Sequence, residues 1–479
     1  PYEVSPIRFP ILHPRSMFRR KTVRDDGVAG LVLGVESVPD GLASGLLAGL
    51  NPIAGLYGYL FGMVGGVLFT STAFMTVQAT SAMAIVINDV DLDTRDDPIR
   101  SLVTLSLLTG IIMILAGLLK LGSFLRFVSV EVMTGFITAV GINIVLGQLD
   151  DFTGYDSEGG NRVAKAFDLL FNFWKVDVPT LTVGVVTIVF IVVLQRTRLG
   201  PLGLVVAILI GSAVAGVFAA FDRDIQRVGD IAAIPSSLPV PKLPAFGEAF
   251  SLLIPAASLA FVGLVQGAGV SAGFPNDDGS ATDESQDFVG QGAGNITSGL
   301  FQGMPVGGSM SASSLVVTAG AKTRSALFFA GATMAVVILL FAGLVERIAM
   351  PSLAALLIVV GIGTIKPEQV KSVAKTGPFA LTVMTITLIL TLIIPLQFAV
   401  LVGVGLSVII FVARQSMGLV TKRMYFHEDG RVEEMEPPTV VGPEEVIVLQ
   451  PYGSLFFATA PSLLAQMPQV TPETHNSVV

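Results

Sequence analysis

Two short runs of small and hydroxyl-bearing residues carry the most chemical information in the chain: Gln78, Ala79, Thr80 and Ser81 in one, Ser309, Ser311, Ala312 and Ser313 in the other. Each belongs to a segment, Thr76 to Asn88 and Ser309 to Ala319, that is too short and too polar to cross a bilayer alone, which takes roughly 20 apolar residues. The pattern predicts half-helices preceded by irregular chain, and such backbone is tolerated at membrane depth only inside a bundle or beside a watery cavity. A helix start presents N–H groups without partners and the positive end of a dipole. Two such starts facing each other form an anion site that needs no cationic side chain. Small hydroxyl residues also pack helices and back-bond to carbonyls, so it is their placement in a repeat, described below, that favours binding.

Carboxylates inside apolar spans are costly and mark function by default. Asp40 follows Pro39 in mid-span, Glu36 lies one helical turn earlier and Ser44 one turn later, while Glu131 stands early in the fifth pass. An ionised carboxylate would repel an anion, and burial favours the neutral acid. Proton uptake by Asp40 or Glu36 would therefore assist anion binding, unless the group is a satisfied buried carboxylate. Gln266, polar and mid-span in the eighth pass, could bond substrate or bridge to the first pass. Trp174 and Tyr155 read as markers of a membrane interface.

The chain that must position these residues is 52% hydrophobic and 13% charged, with a mean hydropathy of +0.76, against roughly 25% charged residues in soluble domains. Apolar runs recur almost end to end, and one large polytopic membrane domain is the economical reading. There is no cysteine, which excludes disulfides, thiolate metal sites and a cysteine nucleophile; the three histidines, His13, His427 and His475, lie outside the apolar runs. Zinc and Ser-His-Asp chemistry are thereby disfavoured, and no P-loop is present to drive a pump. No cofactor, metal or enzymatic activity is expected. A net charge of −8 speaks against a nucleic-acid partner. The chain opens on Pro1, so residues are expected ahead of it, and its Arg- and Pro-rich start does not read as a signal peptide.

About twelve full spans are expected by length: Gly27 to Leu47, Pro52 to Phe69, Ile99 to Leu119, Phe124 to Gly147, Pro179 to Leu194 and Leu202 to Phe221, then Glu248 to Ala272, Gln286 to Phe301, Ser325 to Val345, Met350 to Ile365, Pro378 to Ile394 and Leu396 to Val412. With the half-helices as third and tenth passes, the total is about fourteen. Placing the basic N-terminus in the cytoplasm makes alternate loops basic, as in Arg196 with Arg198 and Lys322 with Arg324, and puts both termini inside. The exception is the acidic stretch from Phe274 to Ser285. An odd number of passes per half inserts the second half upside down, the inverted-repeat plan of secondary transporters.

At VPDGLASGLLAGLNPIAGLYG, from Val38 to Gly58, the chain resembles the SulP family of sulfate permeases and related anion transporters, which includes prestin and pendrin. The likeness continues through FTSTAFMTVQATSAMA and GLFQGMPVGGSMSASS, and VIVLQPYGSLFFATAPSLLAQM from Val446 resembles the opening of that family's cytoplasmic STAS domain. The resemblance implies an all-α fold of fourteen segments in two inverted repeats of seven, shared with uracil permease, with core and gate parts, elevator motion and homodimers. It places the anion pocket between the first, third, eighth and tenth helices. The chain departs from the family where Asp40 replaces a pocket glutamine, Ala312 replaces an arginine, Gln78 and Ala79 replace Gly-Pro, and Gln266 replaces an acid found in some bacterial members.

The resulting division is a cytoplasmic segment 1–26, a first repeat 27–221, a linker 222–247, a second repeat 248–415, a linker 416–442 and an incomplete STAS domain 443–479. The function expected is secondary transport of a small inorganic anion or dicarboxylate in the inner membrane, with proton symport, through Asp40, Ser44, Gln78, Ala79, Thr80, Gln266, Ser309, Ser311, Ala312 and Ser313. A nucleobase permease of the same fold is one alternative, which Gln266 disfavours; an uncoupled channel or voltage-driven motor is another.

Overall fold

The computed structural model describes residues 22–122, 129–197, 199, 202–274, 276, 279–394, 402, 405, 409, 419–427, 429–455, 459–472, 474–475 and 477–479. Along the membrane part run α1 (Val23–Leu47), α2 (Pro52–Val67), β1 (Val77–Gln78), α3 (Ser81–Asn88), α4 (Pro98–Leu118), α5 (Val130–Gly147), α6 (Leu149–Thr153), α7 (Arg162–Phe171), α8 (Val178–Gln195) and α9 (Leu202–Ala219). They are followed by α10 (Leu253–Gly273), α11 (Glu284–Leu300), β2 (Gly307–Gly308), α12 (Met310–Thr318), α13 (Ser325–Val345), α14 (Met350–Thr364), α15 (Pro367–Thr376) and α16 (Pro378–Ile393). Among the described residues, 8 helices are long and apolar enough to cross a membrane, with α2 and α16 shorter apolar helices beside them. The expected span from Leu396 to Val412 lies outside the described residues save three.

Local sequence sets many of these boundaries. Asn51, Asp97 and Asp177 cap α2, α4 and α8, and each is followed within two residues by a proline. The side-chain oxygen of such a cap takes one of the orphan N–H groups, and proline fixes φ where its missing N–H costs nothing.

The helices pack in two groups. In one, α1 lies on α2 and α13, while α11 lies on α2 and α4, and α10 on α4. In the other, α5 lies on α14 and α16, and α8 on α9 and α14. Contacts of α1 with α9 and α14, and of α3 with α5, join the groups. α11, expected as a span, is unusually polar, since Asp287, Gln291, Asn295 and Ser298 are all fully buried in it. Polar side chains at such depth need partners, and α11 finds them in the segments that lead into the half-helices.

The segment 222–247 contains a one-turn helix at Val228–Ile231, and its Ile225 and Val228 are buried. The Ile234 N–H donates to Glu346 Oε1 at 2.9 Å.

The C-terminal unit, mostly Gly403–Val479, contains β3 (Val420–Phe426), β4 (Val432–Met435), β5 (Val448–Tyr452) and α17 (Ala460–Gln466). Its sheet is antiparallel in the order β4-β3-β5, with Arg423 opposite Met435 and Lys422 opposite Gln450. Two of its strands fall in the stretch expected to be a linker, 416–442. The hairpin closes at Gly430, which has a φ of +82° and donates its N–H to the His427 carbonyl at 3.0 Å, a conformation glycine adopts without steric cost.

Candidate functional site

The two half-helices begin side by side. β1 and β2 pair antiparallel, with Val77 opposite Gly308 and Gln78 opposite Gly307. The Ser309 N–H donates to the Thr76 carbonyl at 2.9 Å, and the Thr76 N–H donates to Ser313 Oγ at 3.0 Å. The strands leave this ladder in opposite directions into α3 and α12, so both helix starts lie at one place.

Each start is capped by its own hydroxyl residue: Thr80 Oγ1 accepts the Met83 N–H and Ser309 Oγ accepts the Ala312 N–H, both at 3.3 Å. The amides of Ser81 and Ala82, and of Met310 and Ser311, precede the first ladder bonds of their helices, which makes them the groups available to an anion. Thr80 Oγ1 also donates to Gln266 Oε1 at 2.8 Å, tying α3 to α10. Ser309 Oγ and Ser311 Oγ lie 3.2 Å apart. Ser311 is exposed, Thr80 and Gln266 are half-buried, and Ala79 and Ala312 are buried.

On α1, Asp40 is half-buried, with Glu36 one turn earlier and also half-buried. The Tyr59 hydroxyl donates to Asp40 Oδ2 at 2.6 Å, and Ser44 Oγ lies 3.1 Å from that hydroxyl. Gln78 Nε2 donates to Ser37 Oγ at 2.8 Å, which attaches β1 to α1. Tyr59 can reach Asp40 because α1 and α2 cross closely: a Cβ on Gly55 would lie 2.0 Å from the Gly41 carbonyl oxygen.

Direct hydrogen bonds thus join Gln78 to α1 through Ser37, Thr80 to Gln266 of α10, and Ser309 and Ser313 to Thr76 ahead of β1, whereas Asp40 and Ser44 are bonded to Tyr59 of α2. Their roles differ, since Gln78 and Ser313 are engaged with Ser37 and Thr76, whereas Ser311 and the helix-start amides are not engaged in that way. Glu131 opens α5, in the other helix group, and is buried. Trp174 is 67% exposed and meets Phe173 edge-on, while Tyr155 donates to Asp168 Oδ2 at 3.0 Å.

Sequence reading missed Tyr59 and the polar stripe of α11. Asp287 accepts the N–H groups of Ser71 and Thr72 at 2.6 and 2.9 Å on Oδ1, and the hydroxyls of Thr72 and Ser271 at 2.5 Å on Oδ2. Gln291 Oε1 accepts the Gly308 N–H at 2.9 Å. Asn295 pairs with Val306 like a neighbouring strand, taking its N–H at 2.9 Å and donating to its carbonyl at 2.6 Å. One helix therefore holds the leads into both half-helices. The signal was available: Asp287, Gln291 and Asn295 recur every four residues, hence on one face. The acidic stretch that broke the charge alternation belongs to the same device, with Asn276 Oδ1 accepting the Ala73 N–H at 2.8 Å and Ser71 Oγ accepting the Asp283 N–H at 2.8 Å.

Known proteins resemble the chain in sequence and fold. Residues 23–387 match the sulfate permease family. The chain is 29% identical over 401 residues to YbaR of Bacillus subtilis (strain 168), by name a candidate sulfate transporter, covering 82% of this chain and 78% of that one. It is 27% identical over 407 residues to "Bicarbonate transporter BicA" of Picosynechococcus sp., covering 83% and 71%. Among solved structures, the transmembrane domain of a cyanobacterial BicA matches with a TM-score of 0.70 at 25% identity, covering 82% of this chain and 99% of that one. SLC26A9 matches in fold with a TM-score of 0.80 at 19% identity, covering 94% and 75%. The family match begins at the first residue of α1, ends within α16 and takes in every residue of the site; the chain belongs to the sulfate permease family and is a multi-pass membrane transporter, not an enzyme.

Proposed function

We propose that this protein is a secondary active transporter of a small anion, held between the starts of α3 and α12. The observation that supports this most is the β1–β2 ladder, which gathers two helix N-termini at one point among membrane helices. The names of the relatives put inorganic oxyanions, sulfate and bicarbonate, first among the substrates to test, with small dicarboxylates after them.

In this reading the two half-helices and their flanking spans are inverted repeats of seven segments. The group containing α1–α4 and α10–α13 moves as the elevator against the group of α5–α9 and α14–α16, carrying the anion with it. Asp40, bonded to Tyr59 and carried by the helix that packs on both α3 and α12, takes the proton that accompanies the anion, with Glu36 as its neighbour. Neutralising a carboxylate beside the site removes its repulsion of the anion. The protein sits in the inner membrane as a homodimer with both termini in the cytoplasm, as the basic loops favour.

Uptake into proteoliposomes from a panel of sulfate, bicarbonate and fumarate, with and without an inward proton gradient, tests the reading. Accumulation against the anion's own gradient when the pH difference is imposed is the expected result. Equilibration alone would favour an uncoupled channel.

A further inference from the structure

The end of α3 remote from the site is held by a cation from the other helix group. Arg162, the first residue of α7, donates from Nη2 to Asn88 Oδ1 at 2.6 Å and to Asp89 Oδ1 at 3.2 Å. Asn88 is the last residue of α3 and Asp89 its C-cap, so the guanidinium also faces the negative end of that helix. The pair is well shielded, with side-chain exposures of 20% and 15%. α7 is itself tied down beside α6, where Lys165 Nζ lies 3.0 Å from Asp150 Oδ2. On the other side, Asn88 fits against Gly49, where a Cβ would stand 2.5 Å from Asn88 Nδ2 and φ is +66°.

This clamp stands in the wall of a cavity of about 540 Å³, whose lining includes Leu47, Asn88, Asn143, Arg162 and Thr391. None of the site residues lines it. Ser44, the site residue nearest in sequence to Leu47 on α1, is 1% exposed. A helix of eight residues thus has its first turn in the candidate site and its last held by Arg162.

We infer that Arg162 is a positioning residue for transport: by clamping the far end of α3 to α7 it keeps the cavity on that face closed off from the site. Any movement of α3 relative to α7 that opens the site to this face breaks both hydrogen bonds. The inference rests on the proposed anion site, but the clamp can be tested without transport.

The chain contains no cysteine, so single cysteines report cleanly. Ser44→Cys reads the site and Leu47→Cys reads the cavity, each treated in sealed vesicles with a membrane-impermeant thiol reagent presented to the Asn88 face or to the opposite one. Leu47→Cys should react from the Asn88 face in every background. Ser44→Cys should react slowly from that face with Arg162 present, about tenfold faster with Arg162→Ala, in line with loss of a charge-assisted pair, and slowly again with Arg162→Lys. Asn88→Ala with Asp89→Ala removes the clamp from its other side and should act like Arg162→Ala, which covers the case that the arginine variant does not fold. Unchanged Ser44→Cys labelling while Leu47→Cys reacts would overturn the inference. So would equal acceleration from both faces, which marks general loosening. Labelling as expected, together with an unaltered chain that moves no anion, would defeat the proposed function and leave the clamp standing.

Discussion

Tyr59 and Asp40 meet across the α1–α2 crossing, the tyrosine hydroxyl donating to Asp40 Oδ2 at 2.6 Å. Asp40 follows a proline within α1, and Tyr59 is buried in α2, so the bond joins the proline-containing helix to its neighbour. Asp40→Asn should abolish the dependence of uptake on a pH gradient while leaving anion exchange measurable. A variant that kept the full dependence would remove Asp40 from proton coupling. Tyr59→Phe keeps the ring and loses the donor; it should lower stability by about 1–2 kcal/mol and shift the pH profile of uptake, as read by thermal unfolding and by initial rates across pH.

Gly55 has no space for a side chain. Because a Cβ there would stand 2.0 Å from the Gly41 carbonyl, Gly55→Ala should force the helices apart and cost about 1–3 kcal/mol. Thermal stability in detergent measures this, and loss of uptake at temperatures where the protein remains folded would show Tyr59 drawn away from Asp40.

Asn295 acts as a substitute strand for Val306. Asn295→Leu leaves both backbone groups of Val306 unpaired and should lower stability by about 2–6 kcal/mol, since each buried unsatisfied group costs about 1–3 kcal/mol. Asn295→Asp keeps the acceptor and loses the donor, so it should be intermediate. If Asn295 positions the start of α12, folded protein of either variant will show a raised KM for the anion.

Thr80 and Gln266 share one hydrogen bond between α3 and α10. In a double-mutant cycle with Thr80→Val and Gln266→Leu, anion binding should show a coupling of about 1 kcal/mol. Additive losses would mean that the bond is absent while the anion is bound.

Asp168 lies on α7, outside the spans. The Glu158 N–H at 3.0 Å chiefly, and the Tyr155 hydroxyl with it, hold its carboxyl below the usual carboxylate range. A depressed folded-state value adds stability that is present above the unfolded value and lost as pH falls through the folded one. Unfolding measured from neutral pH down to about pH 3, below the ordinary Asp value, should therefore show a shallower acid limb for Asp168→Asn than for the unaltered chain.

Local pattern alone was enough for the membrane class, for the 8 spanning helices among the described residues and for the two short half-helices, because each follows from apolar length, a capping hydroxyl or a proline after a cap. It also pointed to Asp40 and Gln266, since polar residues in apolar spans are conspicuous without any neighbour being known. Which of these residues meet depends on packing of the whole bundle. Tyr59 looked like an ordinary aromatic until the Gly41–Gly55 crossing brought it to Asp40, and the four-residue spacing of Asp287, Gln291 and Asn295 had no meaning until β2 and the turn before β1 were seen lying on that face. Charge alternation found no place for the acidic stretch from Phe274 to Ser285, and loop charge carries no information on the N–H groups of 71–73 that Asn276 and, beyond the stretch, Asp287 satisfy. Hydrogen bonds between residues more than 200 positions apart, such as Ser71 with Asp287, are fixed by packing of the whole bundle, and no local pattern encodes them.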